Sequence, residues 1–186
     1  MIKRLLVSAL VILPLSLSAN EERLAQADFP ERLEVEGQEL VLRNASVLKY
    51  LFVDVYSAAL LTPPGQPLAN PITPGEPLQL ELYYYRNIDR EDVIKAAWVA
   101  LERQYDELTL TRLRPGVDAL HETFTDITAG DRYALTLDAQ HRLTLQYNGA
   151  VSFSSEDSEL AQAYVGIWLR KDGLSDNLRE KLTAER

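Results

Sequence analysis

The sequence predicts an α+β domain in which an antiparallel sheet is packed by helices. Three observations lead there. Strand-like segments come first, then helices, then a hairpin, then helices again, so there is no βαβ alternation of the kind a parallel sheet requires. No period of 20 to 50 residues repeats, which excludes solenoids and propellers. The composition, 46% hydrophobic and 25% charged over 186 residues, is that of one globular domain and not of a disordered, collagenous or multi-span membrane chain.

The elements follow in order. Lys3 and Arg4 precede an apolar run from Leu5 to Leu17, interrupted at Pro14, with Ser16, Ser18 and Ala19 as small residues around a cleavage point. This reads as a signal peptide over residues 1–19, leaving residues 20–186 as one domain in a periplasmic or secreted location. The competing reading, an uncleaved anchor, is disfavoured because thirteen residues fall short of the roughly 20 that cross a hydrocarbon core. No cysteine follows, so lipid attachment there is excluded. Cleavage removes Lys3 and Arg4 and takes the net charge from −9 to −11, leaving an acidic protein expected to have no stable membrane anchor.

Leu33, Val35, Leu40 and Val41 flank Glu36-Gly37-Gln38, which predicts a first hairpin between Phe29 and Leu42. Val47 to Thr62 is rich in β-branched and aromatic residues and predicts one long strand, on which Asp54 and Tyr56 share parity with Leu48, Tyr50 and Phe52. Residues 62–77 hold six of the nine prolines and predict a stiff surface excursion, a reading preferred to a Pro-rich partner motif. Leu78, Leu80, Leu82, Tyr84 and Arg86 alternate with Gln79, Glu81, Tyr83 and Tyr85, which predicts a strand with two distinct faces.

Asp89 is placed to cap a helix over 89–106 with Val93, Ala96, Ala97, Trp98, Leu101 and Tyr105 on its apolar face. Pro115 is expected to open a second helix carrying Val117, Leu120, Phe124 and Ile127, ended by Ala129-Gly130. Arg132 to Asp138 and Arg142 to Tyr147 alternate, and Asn148-Gly149 turns the chain into Ala150 to Phe153, an antiparallel meander. Ser155 begins a helix with Leu160, Ala163, Tyr164, Ile167 and Trp168 at helical spacing, broken by Gly173, and a short amphipathic segment from Ser175 to Leu182 closes the chain.

Composition narrows the chemistry. Without cysteine there are no disulfides, thiolate metal sites or cysteine nucleophiles, and two histidines give no basis for a histidine-rich metal site. A net charge of −9 repels nucleic acid and anionic lipid. No GxSxG, P-loop, GxGxxG or HExxH motif occurs, and no cofactor is implied. His121, beside Glu122, and His141, in a tight turn, read as solvated residues without a catalytic partner. Glu156, Asp157 and Glu159 read as helix-capping carboxylates in preference to an acid-base pair, and Trp98 and Trp168 as core anchors. Tyr83, Tyr84 and Tyr85 put hydroxyls on both faces of a strand. At least one must lie under helices, where a phenol needs a hydrogen-bond partner or a ligand, although half-buried packing is the simpler account.

The segments FPERLEVEGQELVL (29–42), NASVLKYLFVDVYSAALL (44–61) and FSSEDSELAQAYVGIWLRKDGLSDNLREKL (153–182) resemble the bacterial chalcone isomerase-like family. The resemblance covers nearly the whole mature chain through diffuse apolar and small-residue patterns. It implies an open-faced antiparallel β-sheet packed by helices on one side, with a hydrophobic cleft between the layers; relatives include plant chalcone isomerases and fatty-acid-binding proteins. In the enzymes an arginine near the start of the long strand organises the site, and in the fatty-acid binders it meets the ligand carboxylate together with a tyrosine. Here the arginine position falls on Leu48 and the tyrosine position on Tyr56. The enzymes' threonine also aligns near Tyr56, and their tyrosine and asparagine near Asp89 and Ala96, so none of the enzymes' four side chains is matched. Arg43 and Lys49 are offset to the other strand face unless a bulge intervenes, which leaves Arg86, beside Tyr84, as the substitute anion anchor.

The expectation is therefore a binder of a small hydrophobic molecule without catalytic residues, using Tyr56, Tyr84 and Arg86 as polar contacts beside Leu48. The alternatives are an isomerase of the chalcone isomerase type with a site rebuilt around Arg86, and an envelope interaction module acting through its Pro-rich loop or acidic surface.

Overall fold

A seven-stranded meander in which every strand pairs with its sequence neighbour forms the centre of the protein. The computed structural model describes residues 15–185. Its strands are β1 (Arg32–Val35), β2 (Gln38–Tyr50), β3 (Val53–Thr62), β4 (Leu78–Tyr84), β5 (Arg132–Leu137), β6 (Leu143–Tyr147) and β7 (Ala150–Ser155). Its helices are α1 (Leu15–Ala27), α2 (Arg90–Gln104), α3 (Glu107–Glu122), α4 (Ser158–Leu169) and α5 (Asp176–Leu182). All strand pairs are antiparallel. The expected signal segment falls mostly on residues 1–14, outside the described residues; α1 begins at Leu15.

One sheet face carries the main core. Ala58, Leu60, Leu80, Leu82, Leu135 and Leu145 point from β3 to β6 into the side chains of α2 to α5. Helix α4 is buried almost all round and packs against α2, α3 and α5, so it is the keel of the helical layer. The architecture expected from the element order, an antiparallel sheet with a helical layer, is the one observed. Helix α1 lies across the opposite face against β2 and β3. There Arg23 pairs with Asp54 at 3.0 Å and the Tyr85 hydroxyl donates to the Arg23 carbonyl oxygen at 2.5 Å. A smaller apolar cluster of Leu40, Ala59 and Leu61, with Phe29 and Leu33 against it, also lies on that face.

Several expectations are corrected. The long strand over 47–62 is two strands joined by a two-residue turn at Leu51-Phe52, with Tyr50 opposite Val53. Both turn residues have positive φ, 46° and 68°, a conformation that Asn-Gly adopts easily and bulky L-residues do not. The Leu-Phe pair carries no turn signal, which is why the apolar pattern runs straight through it. Tyr50, Leu51 and Phe52 are 69%, 74% and 99% exposed, so no packing compensates for the strained backbone. Replacing Leu51 by Asn and Phe52 by Gly together is expected to stabilise the protein by about 1–2 kcal/mol, read as a rise in Tm. A fall in Tm would show that the apolar tip packs in solution.

A bulge lies next to this turn. Leu48 pairs with Tyr56 but Lys49 pairs with Asp54, leaving Val55 extra. The extra residue reverses parity, so Asp54 leaves the Tyr56 face and meets Lys49 at 2.7 Å and Arg23 on the other side. These two cations hold its carboxyl below the usual carboxylate range against the opposing effect of burial. Arg43, skipped by a second bulge, bonds Thr62 Oγ1 and the Pro63 and Gln66 carbonyls. The Pro-rich stretch is thus irregular as expected, yet pinned, with Leu68 and Ile72 buried in the core.

Helix α3 starts at Glu107 and encloses Pro115, because Asp106 caps it by accepting from the Thr109 N–H at 2.8 Å. Phe124 and Ile127 lie beyond its end, where Ile127 bridges to Ile88. Asp89 occupies the cap position of α2 without a side-chain bond; Asp126 accepts from the Arg90 N–H instead. Helix α4 begins at Ser158, three residues past Ser155, since Asp157 supplies the cap. That helix ends at Leu169, and Gly173 brings the Leu174 N–H to within 2.9 Å of the Ile167 carbonyl. A Cβ at Gly173 would sit 2.2 Å from that same oxygen, so only glycine passes there.

Candidate functional site

Between the sheet and α2 lies a cavity of about 590 Å³, within the range of small-molecule sites. Leu82, Leu135 and Leu145 form its floor, while Tyr56, Tyr84, Tyr133, Tyr164 and Trp168 bring aromatic rings from β3, β4, β5 and α4. One lip is the β2–β3 hairpin, through Leu48, Tyr50 and Val55. The other is α2, where Asp92, Lys95, Val99 and Arg103 follow one another at helical spacing and are all exposed. Every charged group that lines the cavity is therefore at its mouth.

The sequence-predicted residues divide. Leu48, Tyr56 and Tyr84 come together on the cavity wall, Tyr56 and Tyr84 with ring centroids 5.2 Å apart. Arg86 does not join them. Strand β4 ends at Tyr84, the chain bends over the next two residues, and the parity that placed Arg86 beside Tyr84 lapses there; Arg86 is exposed and lines no part of the cavity. Tyr83 and Tyr85 lie on the opposite face, in an edge-on pair 5.4 Å apart.

Hydrogen bonding gives the tyrosines different roles. The Tyr56 hydroxyl accepts from the Trp168 indole N–H at 3.0 Å and keeps its own proton free to donate. The Tyr84 hydroxyl has no hydrogen-bond partner among the described residues. Tyr164 pairs with Nε2 of His121 at 3.0 Å. Burial raises the pKa of all these phenols, Tyr133 to about 12 and Tyr56, Tyr84 and Tyr164 well above the ordinary value, so at neutral pH they are uncharged donors.

Trp168, Tyr133 and Tyr164 also line the cavity, and the sequence did not single them out as site residues. Trp168, read as a core anchor, orients Tyr56, but α4 is apolar on every side and its pattern shows no face that would single out a wall residue. Tyr133 reaches the site because it pairs across from Leu82, a register that alternation within one strand does not reveal. Both histidines, expected to be solvated, are buried: His141 through a bond to the Thr73 carbonyl, His121 among Trp98, Phe124 and Tyr164. Among the described residues no three acidic or histidine side chains gather to hold a metal ion.

Burial lowers the pKa of His121 to about 4. The folded state then favours the neutral imidazole, and the unfolded state takes up the proton first as the pH falls below about 6.5. Stability is full above that pH and is lost as the pH falls towards 4. Wild type is expected to lose about 2 kcal/mol more than His121→Gln over this interval, measured by denaturant unfolding at a series of pH values. Parallel curves would refute the assignment.

Three comparisons bear on this geometry. A family model described as chalcone isomerase-like matches residues 21–183. By fold, the chain is similar to a crystal structure of a fatty-acid binding protein from Arabidopsis thaliana, with a TM-score of 0.62 at 14% identity, covering 83% of this chain and 90% of that one. No curated protein matches the sequence.

Proposed function

The chain belongs to the chalcone isomerase-like family, and from that premise we propose that it binds a small hydrophobic molecule in the cavity between sheet and helices and performs no chemistry on it. The observation that carries this reading is the lining: a largely apolar chamber whose buried polar side chains, among the described residues, are neutral phenols and an indole. Cyclising a chalcone requires polarising an enone and stabilising a phenolate, work for cationic or strongly donating groups aimed at the developing charge. By the family resemblance the arginine position falls on Leu48, and Arg86 stands outside the cavity. The fold neighbour, described as a fatty-acid binding protein, supports binding over turnover.

The proposal includes a periplasmic or secreted location, on the strength of Lys3-Arg4, the apolar run from Leu5 to Leu17 and the small residues up to Ala19. Among the described residues, no helix is long and apolar enough to cross a membrane. A mature N-terminus at Asn20, read by intact mass, is the expected result.

The binding reading is tested by purifying the protein from its native cells, denaturing it and identifying what is released by mass spectrometry. A stoichiometric hydrophobic compound is expected. An empty protein that also fails to enhance the fluorescence of an anilinonaphthalene dye would overturn the reading.

A further inference from the structure

The distribution of charge around the cavity says which end of a ligand can lie at its bottom. The three ionisable side chains of ordinary charge on its lining, Asp92, Lys95 and Arg103, all stand on the exposed edge of α2. None is at depth. The nearest buried imidazole, His121, is committed to Tyr164. The Arg90 guanidinium donates to the Phe124 and His121 carbonyls and does not line the cavity. An ionised carboxylate at the inner end would thus be stripped of water with no cation to meet it, which is among the most unfavourable placements a protein can offer.

The buried wall is nevertheless not purely apolar. Tyr84 is 5% exposed and its hydroxyl has no partner among the described residues. Tyr56, 5.2 Å away between ring centroids, accepts one hydrogen bond from the Trp168 N–H and has its proton available. An unused O–H on the cavity lining leaves the site open to one acceptor. Two neutral O–H donors suit a carbonyl or hydroxyl oxygen.

Resting on the binding function proposed above, we propose that the cavity selects uncharged amphiphiles, such as a long-chain ester, alcohol or ketone, whose single oxygen function is held by Tyr84 and Tyr56. Ionised fatty acids are discriminated against beside these phenols, where no cation lines the wall.

The test compares methyl dodecanoate, dodecan-1-ol and dodecanoic acid against the purified protein at neutral pH, followed by tryptophan fluorescence in a Trp98→Phe background, which leaves Trp168 as the emitter, and confirmed by native mass spectrometry. The ester and alcohol are expected to bind at least about tenfold more tightly than the acid. In Tyr84→Phe, affinity for ester and alcohol falls by about tenfold, while binding of the hydrocarbon dodecane is unchanged, which reports an intact cavity. Acid binding equal to or tighter than ester overturns the inference, and if that binding is lost in Lys95→Ala/Arg103→Ala the carboxylate sits at the mouth. Ester and alcohol affinities unmoved by Tyr84→Phe also overturn it. If none of the four compounds binds, the binding function itself falls.

Discussion

Replacing Arg132 by methionine is expected to destabilise the protein by about 3 kcal/mol, even though the substitution lies on the sheet face away from the cavity. Glu81 on β4 is 5% exposed, and its carboxylate is met by Arg132 and, at 3.1 Å, by the Gln79 amide. The same guanidinium bonds the Ala27 carbonyl at the end of α1 and lies over the Phe29 and Tyr83 rings. Removing it leaves a buried charge with one neutral donor, and uncovering such a charge costs far more than the intact pair contributes. For a chain of this length the loss corresponds to a fall in Tm of roughly 6–12 °C. Glu81→Gln in the same background is expected to recover most of it, because the stranded charge is gone. A Tm unchanged in Arg132→Met, or a double variant no better than the single, would show that water reaches Glu81.

Ala96→Trp should abolish ligand binding while leaving the fold intact. Ala96 lies on α2 where the wall of the cavity meets its mouth. An indole there projects into empty volume instead of into a packed core, so the strain that ordinarily accompanies small-to-large changes is absent. Affinity for the bound molecule, or for the dye, is expected to fall at least about 100-fold, with stability within about 1 kcal/mol of wild type. Retained affinity would locate the ligand elsewhere. A large loss of stability would mean that the cavity closes around Ala96 in solution.

The sheet and the helical layer were legible because their signals are periodic and local. The alternation of Leu78, Leu80, Leu82 and Tyr84 fixes which side of β4 faces the helices, and the Asn148-Gly149 and Glu36-Gly37 turns place two hairpins correctly. What stayed hidden was irregular. A turn made from Leu51-Phe52 has no sequence signature, and one surplus residue at Val55 reverses the facing of Asp54 without altering the apolar pattern. The same kind of failure explains Arg86, where strand parity was carried two residues beyond the strand's end. Of the site, Leu48, Tyr56 and Tyr84 were legible from strand position and family resemblance. Trp168 was not, because a buried helix looks, one residue at a time, like any core helix, and the burial of His121 outside the cavity was hidden because its aromatic neighbours are distant in sequence.

The meander has a kinetic corollary. Since each strand joins its predecessor, most of the sheet can assemble by short-range pairing, with loop-closure entropy lost in small instalments; β4 and β5, separated by α2 and α3, are the exception. Contacts that span most of the chain do not fit that scheme. The Asn44 amide donates to the carbonyls of Leu182 and Ala184 across 138 and 140 residues, clasping the end of the chain to β2. Such a clasp forms only when nearly everything between is in place, so it contributes to holding the native state together and little to reaching it. The C-terminal turn is thereby a latch on unfolding, and the protein's lifetime once folded is set in part by residues that its folding rate barely senses.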